Sequence, residues 1–215
     1  MERNCMGERY IGCGSRGETI ILHGVPGNAL GAYLDGSDII VYGNAQDATG
    51  DTMNEGTITI YGSTGDACGL CMRGGEIYVR DDAGYRAGIH MKAYQDKVPV
   101  LIIGGRAGSF LGEYQAGGRI IVLGLGYEDE SIVGYFCGTG MHGGKIYLRT
   151  SKEPKDLPEQ VMVRLATDED MQEIDKYIDA YCEKFGVEKS VVLSSPFYVL
   201  TPNTKNPYKK LYCYN

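Results

Sequence analysis

An apolar pair recurs through this sequence at a near-constant distance of 19 residues, and that regularity excludes most ways a chain can fold. Residues 19–37, 38–56 and 57–75 are consecutive units of 19 residues; 76–99 carries about five extra, 100–118 returns to 19, 119–144 carries about seven extra, and 145–150 opens another. The second position of each unit is Ile20, Ile39, Ile58, Ile77, Leu101, Ile120 or Ile146, and the fourth is Leu22, Val41, Ile60, Val79, Ile103, Val122 or Leu148. Alternation with period two puts both on one face of a strand. Internal repeats of this kind decide the architecture before any single motif does.

A five-residue strand cannot bury its apolar face alone, but equivalent strands stacked in parallel can. A strand every 19 residues leaves too little chain for a helical crossover, so each coil must return to pair with its predecessor. Glycine supplies the corners: 32 of 215 residues are Gly, about twice the usual share. Gly24, Gly43, Gly62, Gly105 and Gly124 hold the sixth position, where Asp81 is the exception, and Gly31, Gly50, Gly69, Gly88 and Gly112 the thirteenth. Most units close on Met or Leu and one or two glycines, as in Met141-His142-Gly143-Gly144. The expectation is an all-β, single-stranded, right-handed parallel β-helix of six to seven coils over residues 1–150. At about 4.8 Å per coil it stands roughly 30 Å tall. A leucine-rich repeat lacks its leucine and Asn/Cys ladder here, and a left-handed hexapeptide helix needs units of 18. Replacing Gly31 or Gly69 by Val should destabilise strongly, on the expectation that each sits at a tight, crowded bend.

Residues 1–18 read as an irregular first coil. Composition changes at Ser151: Lys152-Glu153-Pro154-Lys155 is a polar linker, and Val161, Val163 and Leu165 alternate as a strand. Thr167 with Asp170 resembles a capping box opening a helix that runs to about Phe185 and ends at Gly186. Its stripe, Met171, Ile174, Ile178, Tyr181, Cys182 and Phe185, is expected on the end of the solenoid. From Ser194 the chain is extended and aromatic, with Pro196, Phe197, Tyr198, Pro202, Pro207, Tyr208, Tyr212 and Tyr214. This tail, in the 151–215 segment, either wraps its own solenoid or is held by a partner subunit.

Few residues of the sequence fall into patterns that carry chemistry. A net charge of −7 argues against general affinity for nucleic acid or membrane surfaces, which needs clustered Lys and Arg. No apolar run spans a bilayer and no signal core opens the chain, so a cytoplasmic location is expected, with the seven cysteines as thiols. Cys68 and Cys71 form a CxxC without the second pair or histidines a metal site wants and without a thioredoxin-like context. In the repeat frame they read as corner residues, Cys68 in line with Thr49 and Ala87, Cys71 with Thr52 and His90. His23 shares the fifth strand position with Tyr42 and Tyr61, and His90 and His142 fall in turns of different coils with no nucleophile beside them. The acidic positions, among them Asp47, Asp66 and Asp82, make no single catalytic column, and Glu128-Asp129-Glu130 reads as a solvated loop. Gly62-Ser63-Thr64-Gly65-Asp66 resembles a phosphate cradle in composition alone. No catalytic, cofactor-binding or metal residue is assigned.

Gly24-Val25-Pro26-Gly27-Asn28-Ala29-Leu30-Gly31 and the units around it, most firmly Ile20 to Met53, resemble the GXGXG β-helix domain family. That domain lies at the C-terminal end of the glutamate synthase large subunit, and the resemblance covers about residues 5–150. In that family other domains hydrolyse glutamine and make glutamate on FMN and iron–sulfur centres, while the β-helix joins them. The resemblance implies a stand-alone structural subunit of a split glutamate synthase-like complex, with FMN and iron–sulfur on partner chains. The same module resembles one subunit of formylmethanofuran dehydrogenase, a molybdenum or tungsten enzyme. A β-helix that binds or cleaves carbohydrate is the reading from a different class. The two insertions and the aromatic tail are the expected places for partner contacts.

Overall fold

The computed structural model describes residues 1–128 and 130–203. Eight parallel strands stack in chain order: β1 (Glu2–Met6), β2 (Thr19–Val25), β3 (Asp35–Tyr42), β4 (Glu55–Ile60), β5 (Glu76–Val79), β6 (Val100–Ile103), β7 (Ala116–Val122) and β8 (Gly143–Arg149). The pairing register is the sequence repeat itself, with Ile20 beside Ile39, Ile39 beside Ile58, and so on to Ile146; Leu22 to Leu148 form a second column. Both columns are buried within the parallel β-solenoid. A third inner column, Leu34, Met53, Met72, Met91 and Met141, is interrupted by Gln115, whose amide Nε2 donates to the carbonyls of Gly117 and Gly118.

Each coil bends through three left-handed residues at alternate positions, as at Ala29, Gly31 and Tyr33, with φ 62, 62 and 57°. The same triplet recurs at Ala48-Gly50-Thr52, Ala67-Gly69-Cys71, Arg86-Gly88-His90 and Phe110-Gly112-Tyr114. Left-handed backbone costs a non-glycine residue roughly 1–2 kcal/mol; here it turns successive amides alternately along the stack. The N–H of Ala29 donates forward to Asp47, that of Gly31 back to Ile11, and that of Tyr33 forward to Asp51. Only the central residue of each triplet faces inward. A Cβ at Gly31 would lie 2.7 Å from Ile58 Cδ1 and 3.1 Å from Ile39 Cδ1, which fixes glycine there and leaves the outer positions free to vary. Gly69 corrects the expectation of uniform crowding: its φ is +72°, but the nearest atom to an added Cβ is 3.6 Å away.

Beyond β8 the chain forms β9 (Val161–Leu165), α1 (Asp168–Phe185), α2 (Lys189–Val192) and β10 (Phe197–Pro202). The capping box at Thr167 and Asp170 is present, and Gly186 ends α1 in the left-handed conformation. The tail strand β10 pairs antiparallel with β8 on one side and β9 on the other, so its described part continues the solenoid's own sheet. Pro207, Tyr208, Tyr212 and Tyr214 lie outside the described residues. The helix packs on the side wall, not the end. Ile174, Tyr177, Ile178 and Tyr181 meet Tyr78, Ile102, Ile121 and Tyr147, which project outward from β5 to β8, in a second apolar core. Arg119, Lys145, Tyr147 and Arg164 bind Glu173 and Asp170 at its start. No helix among the described residues is long and apolar enough to cross a membrane.

Candidate functional site

Coil stacking decides which polar side chains remain available for chemistry. On the face following the strands, Asn44 Oδ1 accepts from Ser63 N–H at 2.9 Å, Ser63 Oγ from Asp82 N–H at 3.2 Å, and Asp82 Oδ1 from Arg106 N–H at 2.8 Å. Three residues further along each coil, Asp47 Oδ1 accepts from Asp66 N–H at 2.9 Å and Asp66 Oδ1 from Tyr85 N–H at 2.8 Å. The acidic residues therefore do fall into short columns, but as backbone-binding ladders. They also dispose of the phosphate-cradle reading. The N–H groups of Ser63 and Asp66 are already bonded to Asn44 and Asp47, whose oxygens occupy the space above Gly62 and Gly65. In the acidic loop of the longer insertion, Glu128 accepts from Gly126 N–H and Glu130 pairs with Arg106; Asp129 lies outside the described residues.

The two cysteines of the CxxC point to opposite sides of the wall. Cys68 is fully buried, and desolvation pushes its thiol up to about 12. Cys71 is half-buried at an outer left-handed corner with φ 52°, and burial, then the charge of Asp51, raises its thiol as well. Neither is a ready thiolate. His23 stacks on Tyr42 with ring centroids 5.2 Å apart and bonds Glu2 through Nε2, the start of an aromatic column through Tyr61 to Phe185 of α1. On another edge Tyr85 meets Phe110 edge to face and Phe110 lies tilted against Phe136, with centroids 5.2 and 4.9 Å apart.

Two histidines that the sequence separates by 52 positions meet in one groove. The left-handed corners of successive coils set Cys71, His90 and Tyr114 in one outward column, with φ 52, 54 and 53°. Two residues beyond the corners of four successive coils, Arg73, Lys92, Ala116 and His142 form a parallel column, held in step by bonds from their N–H groups to the carbonyls of Met53, Met72, Met91 and Gln115. Between the columns runs a shallow groove of about 560 Å³ lined by these seven residues. His90 stacks on Tyr114 at 5.1 Å and 12°. Burial, and then the neighbouring His90, lower the basicity of His142. None of the described residues that line the groove is a carboxylate. Among the described residues no cluster of His, Cys, Asp or Glu could hold a metal ion. The signal for this groove was present in the repeat, because His142 follows the corner glycine Gly140 as Lys92 follows His90, but the insertion of 119–144 obscures the alignment.

A second cavity, of about 810 Å³, lies where the last coil meets the linker; Ile132, Val133, Cys137, Leu148 and Leu157 floor it, and Lys152, Glu153, Lys155 and Asp156 stand at its rim. Arg149 seals the adjoining wall: buried, its guanidinium donates to the carbonyls of Leu123, Val191 and Val192 and to Ser194 Oγ.

These features define a scaffold class: a β-solenoid whose polar side chains chiefly bind its own backbone and whose flank carries a clamped helix. The GXGXG motif family matches residues 3–202, so the chain belongs to that family, and the match takes in the helix and β10 as well as the coils. It is 46% identical over 218 residues to the Uncharacterized protein MJ1350 of Methanocaldococcus jannaschii, an alignment that covers 98% of this chain and 84% of that protein.

Proposed function

We propose that this chain is a non-catalytic structural subunit of a glutamate synthase-like complex, in which partner chains supply glutamine hydrolysis and the FMN and iron–sulfur chemistry. The observation that carries this reading is the match of nearly the whole chain to the GXGXG motif family. It is supported by the use of Asp47, Asp66 and Asp82 as acceptors for backbone N–H groups of the next coil, a structural task for each of these carboxylates. A stacked rigid wall suits the task of holding other domains at a fixed spacing.

Affinity purification of the tagged chain from its native host, followed by mass spectrometry, tests the proposal. Glutaminase-like and FMN-barrel chains should co-purify, and glutamate formation by the recovered complex should fall when this chain is omitted from reconstitution. Recovery of molybdopterin-binding partners would instead support the formylmethanofuran dehydrogenase-like reading. A flavin spectrum or glutaminase turnover on the purified chain alone would overturn the non-catalytic role.

A further inference from the structure

The groove between the corner columns is the least expected surface on this molecule. A chain of net charge −7 presents there Arg73, Lys92, His90 and His142, with no carboxylate among the described residues of the lining. Neither Arg73 nor Lys92 forms an ion pair with any described residue. Many of the other cations do form ion pairs, such as Arg86 with Glu113, Lys97 with Glu55 and Arg119 with Glu173. The positions are also firmly set. Arg73 and Lys92 occupy successive coils, about 4.8 Å apart at the backbone, bound there by Arg73 N–H to Met53 and Lys92 N–H to Met72. The His90 ring is held flat against Tyr114. Placing the charges of Arg73 and Lys92 side by side on a preset frame focuses the local field for anions against the sign of the whole protein.

We infer that this groove binds a small tetrahedral oxyanion of the phosphate or sulfate type, gripped by Arg73 and Lys92 and closed by His90 and His142. A guanidinium offers paired donors to two oxygens of such an ion and an ammonium acts as a point charge on a third. This site lies outside the proposed assembly role and does not depend on it.

The ionisable groups that line the groove are Cys71, Arg73, His90, Lys92, Tyr114 and His142, with Asp51 near enough for its charge to act on Cys71. A dianion favours a protonated His142, so by reciprocity its binding opposes the lowering by burial and by His90, and affinity falls as the pH rises. Sulfate, whose charge is constant between pH 6 and 8, is the suitable probe. Heteronuclear NMR of the His90 and His142 ring protons, titrated with sodium sulfate against sodium chloride at matched ionic strength, should show saturable shifts with sulfate alone. Affinity should be at least about fivefold higher at pH 6 than at pH 8, and inorganic phosphate should compete. In Arg73→Gln/Lys92→Gln the affinity should fall at least about tenfold, while circular dichroism and melting temperature stay unchanged. Linear shifts identical to those with chloride, or unchanged sulfate affinity in the double variant, would overturn the inference. If the groove instead takes only an acidic segment of a protein partner, sulfate will fail to saturate it, which also overturns it.

Discussion

At the scale of single residues, the informative positions are the corner triplets. Gly31 and Gly69 stand in the same column of the sequence, yet they differ physically: both are left-handed, and only Gly31 has core atoms inside van der Waals distance of an added Cβ. Gly31→Val should cost about 3–4 kcal/mol, combining conformational strain with overpacking against Ile39 and Ile58. Gly69→Val should cost about half of that, from conformation alone. Urea denaturation of the two variants checks the order; equal losses would contradict it. The sequence made the glycine column visible, and the structure adds why the residues on either side need not be glycine. Nothing in the identities of Ala29, Thr52, Cys71 or Phe110 announces a positive φ, because alternation of left- and right-handed residues is enforced by hydrogen bonds between coils and not by local preference. The same blindness explains the site. His90 and His142 looked unrelated because one insertion shifts their spacing, and the acidic ladder was missed because its function is to bind the next coil's amides.

At the scale of elements, the docking of α1 depends on charges as well as on its apolar stripe. Asp170, almost fully buried, is both the reciprocal member of the capping box and the acceptor for Arg164 and Lys145. The Arg164 guanidinium, followed by Lys145 and the Thr167 groups, outweighs desolvation and holds its carboxyl well below the ordinary carboxylate range. A depressed folded-state pKa contributes stability that is complete above the unfolded value near 4 and is lost as the pH falls below it. Asp170→Asn should therefore cost about 3 kcal/mol at pH 7 and lose much less on acidification from pH 4 to pH 2 than the parent chain does. Parallel urea titrations at pH 7, 4 and 2 measure both. The capping residues and both ends of this helix were readable from Thr167, Asp170 and Gly186, since caps are local signals. Its destination was not. Tyr78, Ile102, Ile121 and Tyr147 sit between core residues in their strands, and only the assembled wall shows that they form a second apolar face.

At the scale of the whole molecule, a stack of like coils is a one-dimensional object whose stability is the sum of nearest-neighbour terms. The helix laid along its flank changes that. Through Tyr78, Ile102, Ile121 and Tyr147, and through the Tyr61 hydroxyl bonded to the Lys184 carbonyl, α1 touches every rung from β4 to β8; β10 is bonded to β8 beyond it. No other described element covers the rungs β1 to β3 in this way: Ile21 and Ile40 are partly exposed on the outer wall. Cooperativity along the stack should therefore be uneven. Native-state hydrogen exchange is expected to find one slow unit comprising β5 to β8 with α1, and faster, graded exchange through β1 to β3. A single uniform rate across all eight rungs would show that the coils are coupled without the helix. In mechanical language, the helix is a splint: it converts one half of a spring of separable turns into a rod, and leaves the other half free to lose its turns one at a time.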